Sequence, residues 1–183
     1  PYSGGPVAVV ALYKHDRVRG DLLGLMMGLR RKGVYVIAVN SGSLFDAGAQ
    51  LPADVYIERP NLGRDFGSYK TGVRIVQEMG LIPPRLMLFN DSVFYSNLGR
   101  DTFIDRLIHS SADICSATDS TEVRPHQTSF CLSFSQNCVA HSAFRRFWRR
   151  YLATDLRPLT VLFGEIALSQ VLEKKGFSSE TFA

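Results

Sequence analysis

The feature of the sequence that most constrains its fold is a series of short apolar segments that alternate with stretches of helical spacing. Val7–Tyr13 is a continuous run of apolar, largely β-branched residues that precedes a charged loop, as expected of a buried strand. Leucines and methionines from Leu22 to Leu29 then recur at helical spacing, with Asp21 as the cap and Gly33 as the stop. A second strand, Val34–Asn40, follows at once. This order predicts a right-handed βαβ unit in a parallel sheet.

The rest of the chain continues this alternation. Further strands are predicted at Val55–Glu58, Arg85–Asn90, Ala112–Ala117 and Thr128–Ser135, and further helices at Gly67–Met79, Asp101–His109, Ser142–Tyr151 and Phe163–Lys175. The pattern predicts an α/β fold with a mixed, mainly parallel sheet flanked by helices, in which the C-terminal half is less regular. Ligands of such folds bind at the carboxyl ends of the strands, so functional loops are expected after Tyr13 and Asn40.

Length and composition are those of one soluble globular domain, with 183 residues of which 45% are hydrophobic and 21% charged. We expect a single domain over residues 1–183 that is part of a longer polypeptide, because the chain starts almost on a strand. No apolar run reaches the ~18 residues that span a bilayer, and Pro1–Pro6 lacks the blocks of a signal peptide. The three cysteines form no Cys-x-x-Cys pair, which argues against a disulfide scaffold and favours a cytoplasmic location.

The first candidate site is Asn90-Asp91-Ser92, where a buried strand emerges at the ligand edge of the sheet. A carboxylate at this place can hold Mg²⁺ or Mn²⁺ together with diphosphate oxygens, because such ions prefer hard oxygen ligands. The competing interpretation is an Asx turn, in which Asp91 only caps the segment that follows.

The second candidate site is Asn61–Lys70, between the third strand and its helix. Its glycines allow close approach of the backbone to a ligand, and Arg64 and Lys70 offer cations for phosphate or sugar hydroxyls. Asp65 and Tyr69 are four residues apart and share one face of a helix. The competing interpretation is an ordinary helix N-terminus, in which Asp65 complements the helix dipole.

The third candidate site is Phe163-Gly164-Glu165, at the start of the last predicted helix. A carboxylate there can take a proton from an acceptor hydroxyl as it attacks an anomeric carbon, which is the general-base step of an inverting transferase. The competing interpretation is a first-turn acid that complements the helix dipole.

Four blocks in this order, NLGRDFGSYK, LMLFNDSVF, HQTSFCLSFS and GEIALSQVLEKKGF, resemble the rhamnan synthesis protein F family of bacterial glycosyltransferases. The resemblance covers roughly Val7 to Phe177, and the first two blocks are its most specific part. It implies a GT-A-like (Rossmann-like) domain that moves a sugar, rhamnose being the one suggested, from a nucleoside diphosphate donor to a growing cell-surface polysaccharide. Cell-wall glycan and lipopolysaccharide are such products, and a lipid-linked glycan is one form of the acceptor.

The resemblance also implies roles for two acids, Asp91 on the metal or diphosphate and Glu165 as the catalytic base. The chain departs from the related enzymes at both places. Their Asp-x-Asp is here Asn90-Asp91-Ser92, and their Gly-Glu-Asp is here Gly164-Glu165-Ile166. If no metal binds, Arg64 and Lys70 are expected to stabilise the departing diphosphate.

The remaining site residues are inferred from their positions in this arrangement. Asp119 and His126 are expected on the acceptor side. The residues expected to bind the donor are Tyr13, His15, Asn61, Gly63, Arg64, Asp65, Tyr69, Lys70, Asn90 and Ser92.

Several alternatives stay open at this stage. The first is a binding module that keeps the nucleotide-sugar cleft without turnover. A net charge of +4 suits an anionic partner, but the chain lacks the motifs of nucleic-acid readers, so no nucleic acid is expected. A zinc site formed by two histidines and two cysteines matches no common spacing; its candidate ligands are His126, Cys131, Cys138 and His141.

The segment Ser142–Tyr151 allows a further pair of interpretations. Its apolar residues form one helical stripe, and four arginines, at positions 145, 146, 149 and 150, project from the other side. Such a helix either packs in the core with a solvated arginine face or makes peripheral contact with the inner face of an anionic membrane.

Overall fold

The computed structural model describes residues 1–43, 51–120 and 126–182. Its main sheet has seven strands in the order β3-β2-β1-β4-β8-β5-β9, and β6 and β7 form a separate antiparallel pair. The strands are β1 Val7–Leu12, β2 Tyr35–Asn40, β3 Val55–Glu58, β4 Arg85–Asn90, β5 Ile114–Ser116, β6 Asp119–Ser120, β7 His126–Gln127, β8 Cys131–Ser135 and β9 Ser179–Thr181. The helices are α1 Gly20–Arg31, α2 Arg64–Glu78, α3 Arg100–His109, α4 Gln136–Ala140, α5 Ser142–Arg150, α6 Arg157–Thr160 and α7 Ala167–Glu173.

The first four strands are parallel, whereas β8 runs antiparallel between β4 and β5. Helices cover both faces of the sheet. On one face, Val7, Val9 and Ala11 of β1 pack in the same cluster as α2, α5 and α7. On the other face, Ala8 and Val10 pack with α1 and α3. Because both faces of β1 are buried, its sequence is continuously apolar rather than alternating. The predicted α/β fold with a mixed, mainly parallel sheet is therefore confirmed.

The C-terminal half departs more from the predicted elements. The predicted strand Thr128–Ser135 begins only at Cys131, and β9 has no counterpart among the predicted strands. Strand β9 has only three residues, and it is fixed by parallel pairing with β5 rather than by a pattern of its own.

The last helical region begins earlier than predicted. Helix α6 starts at Arg157, with Pro158 in its first turn, and continues through a π-helical segment, Val161–Ile166, into α7. Glu165 therefore lies in the π-helical segment, well inside the helical region, and the interpretation as a first-turn acid is wrong. Segments of π-helix are rare and occur frequently at functional sites.

Helix α5 packs in the core through part of its apolar stripe. Phe144 and Trp148 are fully buried, and Tyr151 is nearly so, whereas Leu152 after the helix is exposed.

Within the described ranges, no helix is long and apolar enough to cross a membrane. The same part of the chain holds no group of three or more His, Cys, Asp or Glu residues that could bind a metal.

Candidate functional site

A cleft lies at the carboxyl ends of the parallel strands and consists of two adjoining cavities. We call the first, of about 460 Å³, the strand-end cavity; it is lined by Tyr13, Ser41, Asn61, Arg64, Asp65, Asp91, Ser92 and Asp155. We call the second, of about 540 Å³, the helix-side cavity; its lining includes Arg64, Asp65, Asn90, Ser92, Ser129, Phe130, Arg157, Thr160 and Glu165. Arg64, Asp65 and Ser92 line both, so the two cavities adjoin, and we call them together the cleft.

Asp91 follows β4 and enters the strand-end cavity already paired. Its Oδ2 lies 2.7 Å from the Nζ of Lys14 and accepts a hydrogen bond of 3.0 Å from the backbone N–H of Tyr13. The side chains of Asp91 and Lys14 are only 9% and 22% exposed. This ion pair joins the ends of β4 and β1, and no sequence pattern predicts it.

The backbone of Lys14 is held from the end of β2. The side chain of Asn40 accepts from the N–H of Lys14 and donates to its carbonyl, both at 3.0 Å. Gly42 passes so close that a Cβ there would lie 2.1 Å from the carbonyl oxygen of Lys14. The position of Lys14 is therefore fixed by three strand ends together.

Asp65 lines both cavities, and Asn90, which lines the helix-side cavity, is bonded to it. Nδ2 of Asn90 donates to Oδ2 of Asp65 at 2.7 Å, and Oδ1 of Asn90 accepts from the N–H of Ser92 at 3.2 Å. The Asx turn considered for Asp91 is therefore formed by Asn90. Burial, and then the nearby charge of Asp91, raise the pKa of the Asp65 carboxyl, against the hydrogen bond from Asn90.

Two consecutive residues with left-handed backbone, Gly63 and Arg64, turn the chain into α2, with φ of 84° and 50°. Asp155 holds this turn, because its Oδ1 accepts from the N–H of Gly63 at 2.7 Å and its carbonyl accepts from Nε of Arg64 at 3.0 Å. A non-glycine residue in this conformation is uncommon and is often found at functional sites. The turn places Arg64 on the wall that the two cavities share.

Glu165 lines the helix-side cavity from the π-helical segment. One of its carboxylate oxygens accepts a hydrogen bond of 2.8 Å from Oγ of Ser129, just before β8. The segment packs closely on α2 at Gly164, where a Cβ would lie 3.0 Å from the ring of Phe66. Arg157, earlier in the same helical region, lines the same cavity and is not among the predicted site residues.

The structure corrects the placement of two predicted donor-binding residues. Tyr69 lies in the core, where its hydroxyl donates to the carbonyl of Ser129 at 2.7 Å and burial raises its pKa well above the usual value. Lys70 turns toward α5, and its Nζ donates to the carbonyl of Tyr151 at 2.6 Å. Helical spacing places both on α2, but packing of α2 against the sheet and α5 takes these side chains away from the cleft.

The other predicted residues are distributed as follows. Tyr13 and Asn61 line the strand-end cavity. His15 is exposed in the loop after β1, with its ring edge-on to that of Tyr13 at 5.1 Å between centroids. Asp119 belongs to β6, paired with Gln127, outside both cavity linings. His126 belongs to β7, and its acceptor-side role stays a prediction.

Comparison with known sequences gives relatives but no family model that matches the chain. Virulence protein VirA of Vibrio anguillarum is 33% identical over 154 residues, which are 81% of this chain and 49% of that protein. The uncharacterized protein y4gN of Sinorhizobium fredii is 24% identical over 178 residues, which are 93% of this chain and 46% of that protein. The chain thus spans about half the length of these relatives.

Among solved structures, glycosyltransferase GlyE of Streptococcus pneumoniae aligns with a TM-score of 0.48 and 13% identity, over 97% of this chain and 45% of that one. A glycosyltransferase involved in glycosylation of the major capsid of PBCV-1 aligns at 0.39 and 7%, over 85% of this chain and 73% of that one. Similarity at this level does not establish an activity, so a function must rest on the cleft itself.

Proposed function

We propose that the chain is a GT-A-like glycosyltransferase domain that moves a sugar from a nucleoside diphosphate donor to a glycan acceptor. The observation that supports this proposal is the convergence of Asp91, Arg64 and Glu165 on two adjoining cavities at the strand ends. Such a cleft is where α/β folds bind nucleotides. The two acids to which the family resemblance gives roles, Asp91 and Glu165, thus line one cleft together with Arg64.

The donor diphosphate is proposed to lie in the strand-end cavity. Arg64 is tethered through Nε to Asp155, which leaves the two terminal nitrogens of its guanidinium for phosphate oxygens. Lys14, which is outside the lining of the cavity but contacts Asp91 on that lining, is proposed as the second cation. Because Lys70 is turned toward Tyr151, the pair of cations expected from the sequence, Arg64 and Lys70, is replaced here by Arg64 and Lys14.

The protein groups around Asp91 do not fit a resident divalent cation. One carboxylate oxygen already receives the ammonium of Lys14 and the N–H of Tyr13, and the neighbouring Asp65 has a raised pKa. A cation brought next to Asp91 would have to displace the lysine or lie close to it. We propose that the positive charge at the diphosphate comes from the protein, without Mg²⁺ or Mn²⁺, and that Asp91 positions Lys14.

The transfer step is proposed to occur in the helix-side cavity. Glu165 takes the proton of an acceptor hydroxyl while the hydroxyl oxygen forms a bond to the anomeric carbon. The bond from that carbon to the diphosphate oxygen breaks, and the electron pair leaves with the diphosphate. Attack from the side opposite the leaving group inverts the configuration. The hydroxyl of Ser129, on the lining of the same cavity, donates to the carboxylate and orients it.

The family resemblance further suggests rhamnose as the sugar and a growing bacterial cell-surface polysaccharide as the acceptor. Pocket shape rather than these charges selects among sugars, so a panel is the direct test. Thermal shifts with dTDP-rhamnose, UDP-glucose and GDP-mannose, with Mn²⁺ or with EDTA, should show one selective rise of the melting temperature that EDTA does not abolish.

Glu165→Gln tests the catalytic role. We expect transfer from the selected donor to octyl rhamnoside or octyl glucoside to fall by about 10² to 10⁴, the usual range for loss of a general base. Binding of the matching nucleoside diphosphate, measured by calorimetry, should stay within about twofold. Glu173→Gln, an exposed acid on α7, is the matched control and should leave both quantities unchanged. Unchanged transfer in Glu165→Gln would refute the assignment of the base.

A second candidate is a nucleotide-sugar binding module without turnover. It is favoured by the single acid in the Asn90-Asp91-Ser92 motif and by the pairing of that acid with Lys14. Donor binding without release of nucleoside diphosphate under any of the assay conditions would support it over the transferase.

A further inference from the structure

A third cavity, of about 600 Å³, lies outside the cleft between α5, α7 and the π-helical segment. Its walls are apolar, formed by Phe147, Tyr151, Leu152, Phe163 and Val171, and three cations, Arg146, Arg150 and Lys175, stand on its lining. We call it the cationic groove. Among the described residues that line it there is no acid, and the cations form no ion pair within that part of the chain.

The groove lies beside an apolar ridge that the fold leaves exposed. Leu152 is 83% exposed and Phe163 is 53% exposed, and both line the groove. Leu156, Leu159 and Leu162 are also exposed on the segment between them. The exposed Leu152 and Phe163 share one groove with three cations, which differs from the scattered apolar residues of an ordinary surface and indicates a binding face.

The arginines of α5 divide between two surfaces. Arg146 and Arg150 are one turn apart on the side of the groove, whereas Arg145 and Arg149 are exposed and outside its lining. Two of the four arginines of α5 therefore add their positive charge to the groove, and the other two do not. The occupant that matches both features has an anionic head and an apolar body.

We propose that the cationic groove and its ridge dock on the surface of an anionic phospholipid bilayer. Phe163 and Leu152 enter the boundary between headgroups and acyl chains, while Arg146, Arg150 and Lys175 contact lipid phosphates. Phe163 is two residues from Glu165, which faces the cleft from the same segment. A docked domain therefore holds the helix that carries Glu165 at the surface of the bilayer. The docking itself does not depend on the proposed transfer.

The test is co-sedimentation of the protein with vesicles of phosphatidylglycerol and phosphatidylcholine at about 3:7, and with pure phosphatidylcholine. The mixed vesicles should bind the protein far more tightly, and about 0.5 M NaCl should weaken that binding. The triple variant Arg146→Ala, Arg150→Ala, Lys175→Ala should lose about a hundredfold in affinity for the mixed vesicles. The matched triple variant Arg145→Ala, Arg149→Ala, Lys174→Ala removes the same charge beside the groove and should lose less than about tenfold.

An apolar pair of variants separates docking from general attraction to charge. Leu152→Ser with Phe163→Ser should weaken binding to the mixed vesicles at least about tenfold. Leu98→Ser with Phe94→Ser, which are 91% and 75% exposed on the loop after β4, should have no effect. Equal losses in the two charge variants, or in the two apolar variants, would overturn the proposal. Self-association without vesicle binding would assign the groove to a second copy and also overturn it. Circular dichroism checks that each variant folds.

Discussion

The two cavities of the cleft are built by different means. Around the strand-end cavity the polar groups are fixed by one another, as in the Lys14–Asp91 ion pair and the bonds from Gly63 and Arg64 to Asp155. The helix-side cavity depends instead on one helix, which is seated on α2 by the close contact of Gly164 with Phe66. The first arrangement suits a binding surface that is prepared before the ligand arrives. The second places Glu165, the proposed base, so binding and the proposed transfer should be separable by mutation.

Gly63→Ala should have the largest effect of the variants considered, because it disrupts the turn beside the strand-end cavity. The left-handed φ of 84° disfavours alanine, and its Cβ would lie 2.4 Å from that of Ala153. We expect a loss of about 2 to 4 kcal/mol of unfolding free energy, measured by urea denaturation. Gly80→Ala is the matched control, because Gly80 has a φ of 69° and no atom within 4 Å of the place that a Cβ would take. A loss as small as that of Gly80→Ala would show that the contact with Ala153 relaxes freely.

Lys14→Met should weaken ligand binding in the strand-end cavity without unfolding the protein. Loss of the ammonium removes one charged contact to the diphosphate and leaves Asp91 to repel it, so the affinity for the nucleoside diphosphate should fall about 10- to 100-fold. Arg17→Met, an exposed cation in the same loop, should change little. The proposed role of Lys14 is contradicted if Lys14→Met binds the nucleoside diphosphate as tightly as the parent chain does. It is also contradicted if EDTA abolishes binding of that ligand to the parent chain.

Asp65→Asn should give the smallest effect and one that depends on pH. A carboxyl whose pKa is raised on folding lowers stability as pH rises from its unfolded toward its folded pKa, and the penalty then stays constant. The asparagine removes that penalty and can still accept from Asn90. The melting temperature should therefore rise slightly at about pH 7 and not at about pH 3, below the usual carboxyl range. A decrease at neutral pH would show that the carboxylate is stabilised in the fold.

The parallel half of the sheet is predictable from the sequence, because buried strands such as Val7–Leu12 carry a local pattern. The positions of Arg64 and Asp91 at the cleft are predictable as well, since strand ends and glycine turns are local signals, whereas Glu165 is singled out by the family resemblance. The partners of these residues are not predictable in the same way. Lys14 and Asp91 are brought together only by the pairing of β1 with β4.

The wrong predictions for Tyr69, Lys70 and the start of the last helix also come from packing that no local pattern shows. Helical spacing assigns Tyr69 and Lys70 to the cleft, but the rotation of α2 is set by its packing on the sheet and on α5. The start of the last helix is misplaced because the residues from Arg157 to Leu162 show no stripe of their own. Asp155 carries no local signal at all, and its place at the site follows from its contacts with Gly63 and Arg64.

The continuous helix from Arg157 to Glu173 presents Glu165 to the cleft and Phe163 to the outer surface. Adjacent turns of a helix move together, so a restraint on Phe163 also limits the movement of the Glu165 carboxylate. Attachment of the outer surface would thus narrow the range of positions that Glu165 takes in the cleft, and release would widen it. We therefore expect attachment to change the rate of the proposed transfer with no ligand entering the cleft.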